Sequence, residues 1–258
     1  MKRSVEGPGI WVSCVKGKEK QTIGELTEVL DSLIPELWPG HGPDDDVNSE
    51  NEGDDDNIEA QVAKEMSAMK DRKKDRLFAN CPTNTNCVVF ISCKPPVDPV
   101  ELVVHHIKNV LKTGVTRTRY IHRLVPVSGS CVTNLPEMQA LCNTLLERFF
   151  QQHPGKVFRY KIELRVRNHT TLSRQTIIQN IAQDVPSEHT VDLTNPDMFI
   201  LVEVFKSVCG ISIVEDYYEL QKFNVMELAN QEKAREANRN PGRVETKSKE
   251  RNIVDSDE

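Results

Sequence analysis

The sequence predicts an α+β fold: an N-terminal ferredoxin-like unit, then a second strand-and-helix unit, with an acidic disordered insert and a disordered C-terminal tail. Three observations carry this reading. Strand and helix patterns alternate in the first half of the chain, as in a small α+β unit. The alternation resumes beyond Val115. Val191–Val214 (VDLTNPDMFILVEVFKSVCGISIV) reads as a short strand, a turn at Thr194–Asp197 and two further strands. Asn195-Pro196 opens that turn, because proline fixes its own φ and pushes the preceding residue out of the helical region. The run FILVEVF is apolar on both faces except at Glu203, so both faces of that strand are expected to be covered.

The elements follow in order. Ile10–Val15 has a strand pattern and roughly Lys18–Leu33 a helical one, which Pro35, Pro39, Gly40, Gly42 and Pro43 interrupt. Residues 38–57 form the acidic insert, and a helix resumes near Ile58 with Lys70–Arg76 as its basic end. That end is either a nuclear-import or RNA patch or, because it contains two Asp, a solvated helix end. Cys87–Cys93 is a buried strand. Asp98 caps a helix with Pro99 at its first position, and Gly114 stops it. Arg117–Val127 is extended and basic, and Leu135–Phe149 is an amphipathic helix ended by His153-Pro154-Gly155. Val157–Arg167 is a strand and Leu172–Ala182 a helix, and beyond Val225 a polar helix leads into the tail. The expected units are therefore residues 7–114, 115–224 and 225–258.

A length of 258 residues suffices for one or two domains with a real core. No apolar run approaches the ~18 residues of a membrane span, and Met1–Lys20 has no secretory pattern. The seven cysteines, at 14, 81, 87, 93, 131, 142 and 209, are odd in number and fit a reducing intracellular compartment better than a disulfide framework. Cys81, Cys87 and Cys93 recur every six residues, whereas zinc ligands come in pairs two to four apart, so they read as buried small hydrophobes. His105 and His106 read as structural, and no metal site is expected. No nucleotide-binding, nucleophile-elbow or metalloprotease motif is present, so no catalytic residue is expected.

The net charge of −6 hides a segregated pattern. Nine acids and no Lys or Arg lie between Trp38 and Glu59; without those nine the chain would carry +3. Residues 115–182 hold ten basic and three acidic residues, a charge of +7. Such segregation suits an anion-binding body with an acidic insert. Within Val157–Arg167, Arg159, Lys161, Glu163, Arg165 and Arg167 share one strand face. Same-face residues repeat every ~6.8 Å, close to the spacing of neighbouring phosphates. Arg117, Arg119 and Arg123 repeat the pattern in a second extended segment. A solvated strand face is the alternative for either row alone. Around Arg167–Arg174, a basic strand feeds a helix start with Thr171 or Ser173 as cap, and Arg167, His169 and Arg174 reinforce the anion-attracting helix N-terminus. Lys206 is the weakest of these RNA-contact candidates.

The segments PGIWVSCVKGKEK, DRLFANCPTNTNCVVFISC, PPVDPVELV, TRYIHRLVPV, RNHTTLSR, VDLTNPD and VEVFKSVCGISIV, in this order, resemble the eukaryotic THUMP-domain proteins that act as tRNA adaptors for RNA cytidine acetyltransferase. The resemblance covers roughly Gly7–Asn224. It implies a THUMP domain in the second unit and a non-catalytic, tRNA-binding role in N4-acetylcytidine formation in the D-arm of serine and leucine tRNAs. The partner would be the separate acetyltransferase. That enzyme would use acetyl-CoA and ATP, while this chain would take no cofactor and no small-molecule substrate. The alternatives are an acetyltransferase acting alone and a general RNA-binding factor of ribosome assembly. The expected location is the nucleus or nucleolus, with the cytoplasm as the alternative.

Overall fold

The structure is a computed structural model that describes residues 5–40 and 76–231. The acidic insert beyond Gly40, the helix near Ile58, all but Arg76 of the basic run and the tail beyond Gln231 lie outside the described residues. The first unit runs β1 (Gly9–Cys14), α1 (Glu19–Leu37), β2 (Phe78–Cys81), β3 (Val88–Cys93), α2 (Pro99–Thr113) and β4 (Ile121–Val127). Its sheet has the antiparallel order β2-β3-β1-β4, the split βαβ arrangement of a ferredoxin-like unit.

This order corrects one expectation and adds one strand that the sequence pattern does not show. The first unit does not end at Gly114, because the basic extended segment supplies its fourth strand: Trp11 pairs with Val125 and Ser13 with Arg123. The DRLFANC segment supplies β2, at the edge of the sheet, where four residues leave too little alternation to read. Helix α1 also runs through Pro35 to Leu37, because a proline near a helix end forfeits little of the hydrogen-bond ladder. Cys87 lies just before β3 in a left-handed conformation, so it does not share a strand face with the buried Cys93. All described cysteines are free thiols.

The second unit contains β5 (Gly129–Val132), α3 (Leu135–Gln152), β6 (Arg159–Arg167), α4 (Arg174–Asp184), β7 (Thr190–Val191), β8 (Met198–Phe205) and β9 (Val208–Val214). Its five-stranded sheet has the order β5-β9-β8-β6-β7, with β6 parallel to both its neighbours. One face packs on α3 and α4: Tyr160, Leu164, Ile200, Val202 and Val204 bury against Met138, Cys142, Leu146, Ile177 and Ile181. The other face of β8 joins the first unit's core through Phe199, Leu201 and Phe205. Both faces of FILVEVF are thus covered, as its composition requires.

Helix ends are closed by the residues that the sequence marks. Asp98 accepts from Val100 and Glu101 N–H, and Gly114 takes a left-handed φ of 67° at the C-cap. Of the two cap candidates before α4, Ser173 fills the role and accepts from Thr176 N–H. After β9 the chain turns back across the first unit. Tyr217, Leu220, Phe223, Val225 and Leu228 bury in that unit's core, and Asn224 bridges Arg123. Residues from 225 onward are therefore part of the first unit as far as they are described, rather than a separate polar appendage.

Candidate nucleic-acid interface

Five loops meet at one end of the molecule, and backbone hydrogen bonds tie them together. Cys14 N–H donates to Cys87 O at 3.1 Å, and Val15 N–H donates to Tyr120 O at 3.0 Å. Lys206 N–H donates to Arg167 O at 3.0 Å, while its ammonium reaches across to Thr83 O at 2.9 Å. The end of β1, the β2–β3 loop, the α2–β4 loop, the end of β6 and the β8–β9 turn thus form one surface built from both units. Asn84, Cys87, Arg117, Asn168 and Lys206 all hold positive φ here, the mark of tightly turned backbone.

The acids at this end are occupied by backbone donors. Glu19 accepts from Gly17 and Cys87 N–H, and these bonds hold its carboxyl below the usual range. Glu25 accepts from Arg119 and Tyr120 N–H. The cations keep their charge for solvent. Arg117 and Arg119 are exposed in the α2–β4 loop and make no side-chain hydrogen bond or ion pair among the described residues. Lys16 is exposed beside them, and the Lys18 ammonium stands 5.5 Å from the centre of the Tyr120 ring. Arg174, at the first turn of α4, is exposed and donates to Leu164 O at 2.8 Å. Lys16, Lys18 and Tyr120 escaped the sequence reading because only the β1–β4 pairing brings them beside Arg119.

The predicted row on β6 is divided. Its charged face turns toward the first unit, because Arg165 and Arg167 share a face with Glu203 and Phe205. At the far end, Arg159 makes a bidentate pair with Asp197, at 2.7 and 2.9 Å, and a further contact with Asp192. Lys161 lies 3.2 Å from Glu163 and donates to the Tyr218 hydroxyl, which in turn donates to Glu163 at 2.6 Å. In the middle, Arg165 lies 3.6 Å from Glu203. Burial between the sheets pushes the Glu203 carboxyl up to about 7, against the pull of Arg165 and Arg167. Arg167 lines a small crevice with Trp11, Ser13, Val125 and Glu203. Arg123, opposite Ser13 on β4, has its Nε buried and without a hydrogen-bond partner among the described residues.

His169 is a staple. Its Nε2 accepts from Leu172 N–H at 3.1 Å, so the proton sits on Nδ1, which donates to Lys206 O at 2.7 Å. Both ring nitrogens are used in holding the β6–α4 loop against the β8–β9 turn. The structure therefore brings together Arg117, Arg119, Arg123, Arg167, Arg174 and Lys206, holds Arg165 inward, and places Arg159 and Lys161 at the opposite end in ion pairs.

The THUMP domain family profile matches residues 132–214, the five-stranded unit from the end of β5 onward. The chain is 31% identical to an uncharacterised protein of Schizosaccharomyces pombe, over 96% of this chain and 85% of that one. It is 31% identical to the protein of Saccharomyces cerevisiae named tRNA acetyltransferase TAN1, over 85% of this chain and 84% of that one. It is 33% identical to THUMP domain-containing protein 1 of Mus musculus, over 87% of this chain but only 65% of that one. With these identities carried across both units and not the five-stranded unit alone, the chain belongs to the family of THUMP-domain proteins that includes THUMP domain-containing protein 1 and TAN1.

Proposed function

We propose that this chain is a non-catalytic tRNA-binding adaptor that presents serine and leucine tRNAs to a separate acetyltransferase for N4-acetylcytidine formation in the D-arm. The observation that carries the reading is a surface of solvent-facing cations, built from both units, in a chain similar over most of its length to a yeast protein named for tRNA acetylation. Phosphate neutralisation by such a surface needs no base-specific chemistry, which suits a protein that must hold a folded RNA by its backbone. Acetyl-CoA and ATP are then handled by the partner, and the chain works where that partner works, in the nucleus or nucleolus.

The yeast relative's name favours a second reading, in which the chain transfers the acetyl group itself. Incubation of purified protein with acetyl-CoA, ATP and unmodified serine tRNA separates the two. The adaptor reading expects no acetylcytidine until the acetyltransferase is added; product from this chain alone would overturn it. The interface is tested by Arg117→Ala with Arg119→Ala, two exposed changes outside the core. Tightness of tRNA binding should fall, and each lost phosphate contact should reduce the log–log salt slope by ~0.7–0.9. An unchanged slope would move the RNA off this end.

A further inference from the structure

Across the β5–β9 ladder two cysteines face each other. Cys131, on the four-residue strand β5, is the register partner of Cys209 on β9. Directly opposed residues of an antiparallel pair have Cα atoms about 4.5–5.5 Å apart, inside the roughly 4.4–6.8 Å that a disulfide spans. Their side chains share the sheet face under α3: Cys209 is fully buried there, and Cys131 packs against the same core from the edge. The two thiols are hydrogen-bonded, the Cys209 S–H donating to the Cys131 sulfur. Strand β5 pairs with β9 alone, at the edge of its sheet, so it is the strand that can shift by the small amount a covalent bond requires.

The two sulfurs differ in the way that a redox pair requires. Cys131 is half-buried, so a small reagent reaches it. The hydrogen bond from Cys209 pulls its thiol below the usual range, against burial and the nearby Glu137 carboxylate, and so favours the reactive thiolate. Cys209 has no exposure, and the same bond together with burial holds it in the protonated form. The other thiols lack this combination. Cys81 is buried, and Cys93 and Cys142 are buried and pushed up to about 12 by desolvation. Cys14 and Cys87 also lie side by side, since Cys14 N–H donates to Cys87 O. There, Cys87 stands outside β3 with a φ of 63°, and the Cys14 thiol is hydrogen-bonded to Thr22 and raised by burial.

We propose that Cys131 and Cys209 form a reversible redox site, which a hydroperoxide converts to a cross-strand disulfide. The Cys131 thiolate attacks one peroxide oxygen; the S–O bond forms, the O–O bond breaks, and the other oxygen leaves and takes up a proton as water or an alcohol. The Cys209 sulfur then attacks the Cys131 sulfur; the S–S bond forms, the S–O bond breaks, and the departing hydroxide takes the Cys209 proton as water. The two sulfurs together lose two electrons and the peroxide gains them. A small thiol reverses the step by exchange, so the site suits a reducing compartment in which disulfides are transient. The new bond lies one register step from the end of β5, where Val132 faces Val208 and Thr133 N–H donates to Ser207 O at 2.8 Å. It therefore pins the edge strand beside the β8–β9 turn, from which Lys206 reaches Thr83 O.

Neither tRNA nor a partner enters this chemistry, so the test uses the folded full-length chain alone. The protein is treated with stoichiometric hydrogen peroxide, its remaining thiols are alkylated, and it is mapped by mass spectrometry without reduction. The expected product has lost two hydrogen atoms, yields a Cys131–Cys209 crosslinked peptide, and regains both thiols with dithiothreitol. In Cys131→Ser, a half-buried change at the sheet edge, the crosslink should be absent and peroxide consumption slower by on the order of tenfold, because the remaining thiols are those without the activating bond. Sulfinic acid at Cys131 with Cys209 still open to alkylation would overturn the proposal. A crosslink from Cys209 to Cys142, or between Cys14 and Cys87, in place of the expected one would do the same. So would a wild type that consumed peroxide no faster than Cys131→Ser.

Discussion

Glu203 shows at the scale of one residue what position does to an ionisable group. In the sequence it is the one interruption in an apolar strand; in the structure it is a carboxylate between two sheets, beside Arg165 and lifted by desolvation to about 7. A raised carboxyl makes the folded state the better proton binder, so its contribution to stability is fully present below about 4.5 and is lost as pH rises through about 7. Against Glu203→Gln, the wild type should therefore become relatively less stable between pH 5 and 8, by on the order of 3 kcal/mol at the full shift. Denaturant melts across that range check this, and a difference independent of pH would mean the carboxyl titrates normally. Other residues were misleading in isolation. His169 has the composition of an anion contact and the geometry of a hinge pin. Arg159 and Lys161 belong to a basic row by spacing, yet their partners Asp192, Asp197 and Tyr218 come from segments tens of residues away, which periodicity does not reveal.

At the scale of the element, α2 was the most legible piece. Its cap, its proline, its apolar stripe and its terminal glycine all agree with one another, and the structure keeps every one of them. What the stripe did not disclose is that His106 lies on it, only 4% exposed. Burial, with the charge of Arg117 adding to it, lowers that imidazole to about 4. The sign is opposite to that of Glu203: the unfolded chain binds the proton more readily, so stability falls as pH drops from 6.5 toward 4. The loss should approach about 3 kcal/mol at pH 4 and should be absent in His106→Leu over that window. Parallel acid limbs for the two proteins would sink this assignment. Strands β2, β5 and β7 were the elements missed or misplaced, at four, four and two residues. Runs that short carry at most two alternations, and their existence is decided by the neighbour that offers a ladder.

For the whole molecule, the order of strands within each half was readable because alternation and turn residues are local. The division between the halves was not, because the basic segment before Val127 looks like a partner of the other basic strand while its hydrogen bonds go to β1. Nor was the return of the chain after β9 readable, since Tyr217, Leu220, Phe223, Val225 and Leu228 are spaced for neither a strand nor a regular helix. Those five side chains close the first unit's core from beyond the second. At ~1.5–3 kcal/mol for each large apolar side chain buried, their sum rivals the whole stability of an ordinary domain. A chain ended at Asp216 should thus fail to give a cooperative melt, although it retains every strand of both sheets; a cooperative melt within a few degrees of wild type would show that the return segment merely rests on the surface. The cleft between the sheets also contains its own optical probe. Trp11, with ring centres 4.7 Å from Phe90 and 5.1 Å from Phe205, lines the crevice with Arg167 and Glu203. The chain has two tryptophans, and with Trp38 changed to phenylalanine the remaining emission would come from Trp11 alone, so that changes around Arg167 and Glu203 can be followed in unlabelled protein by colour and intensity.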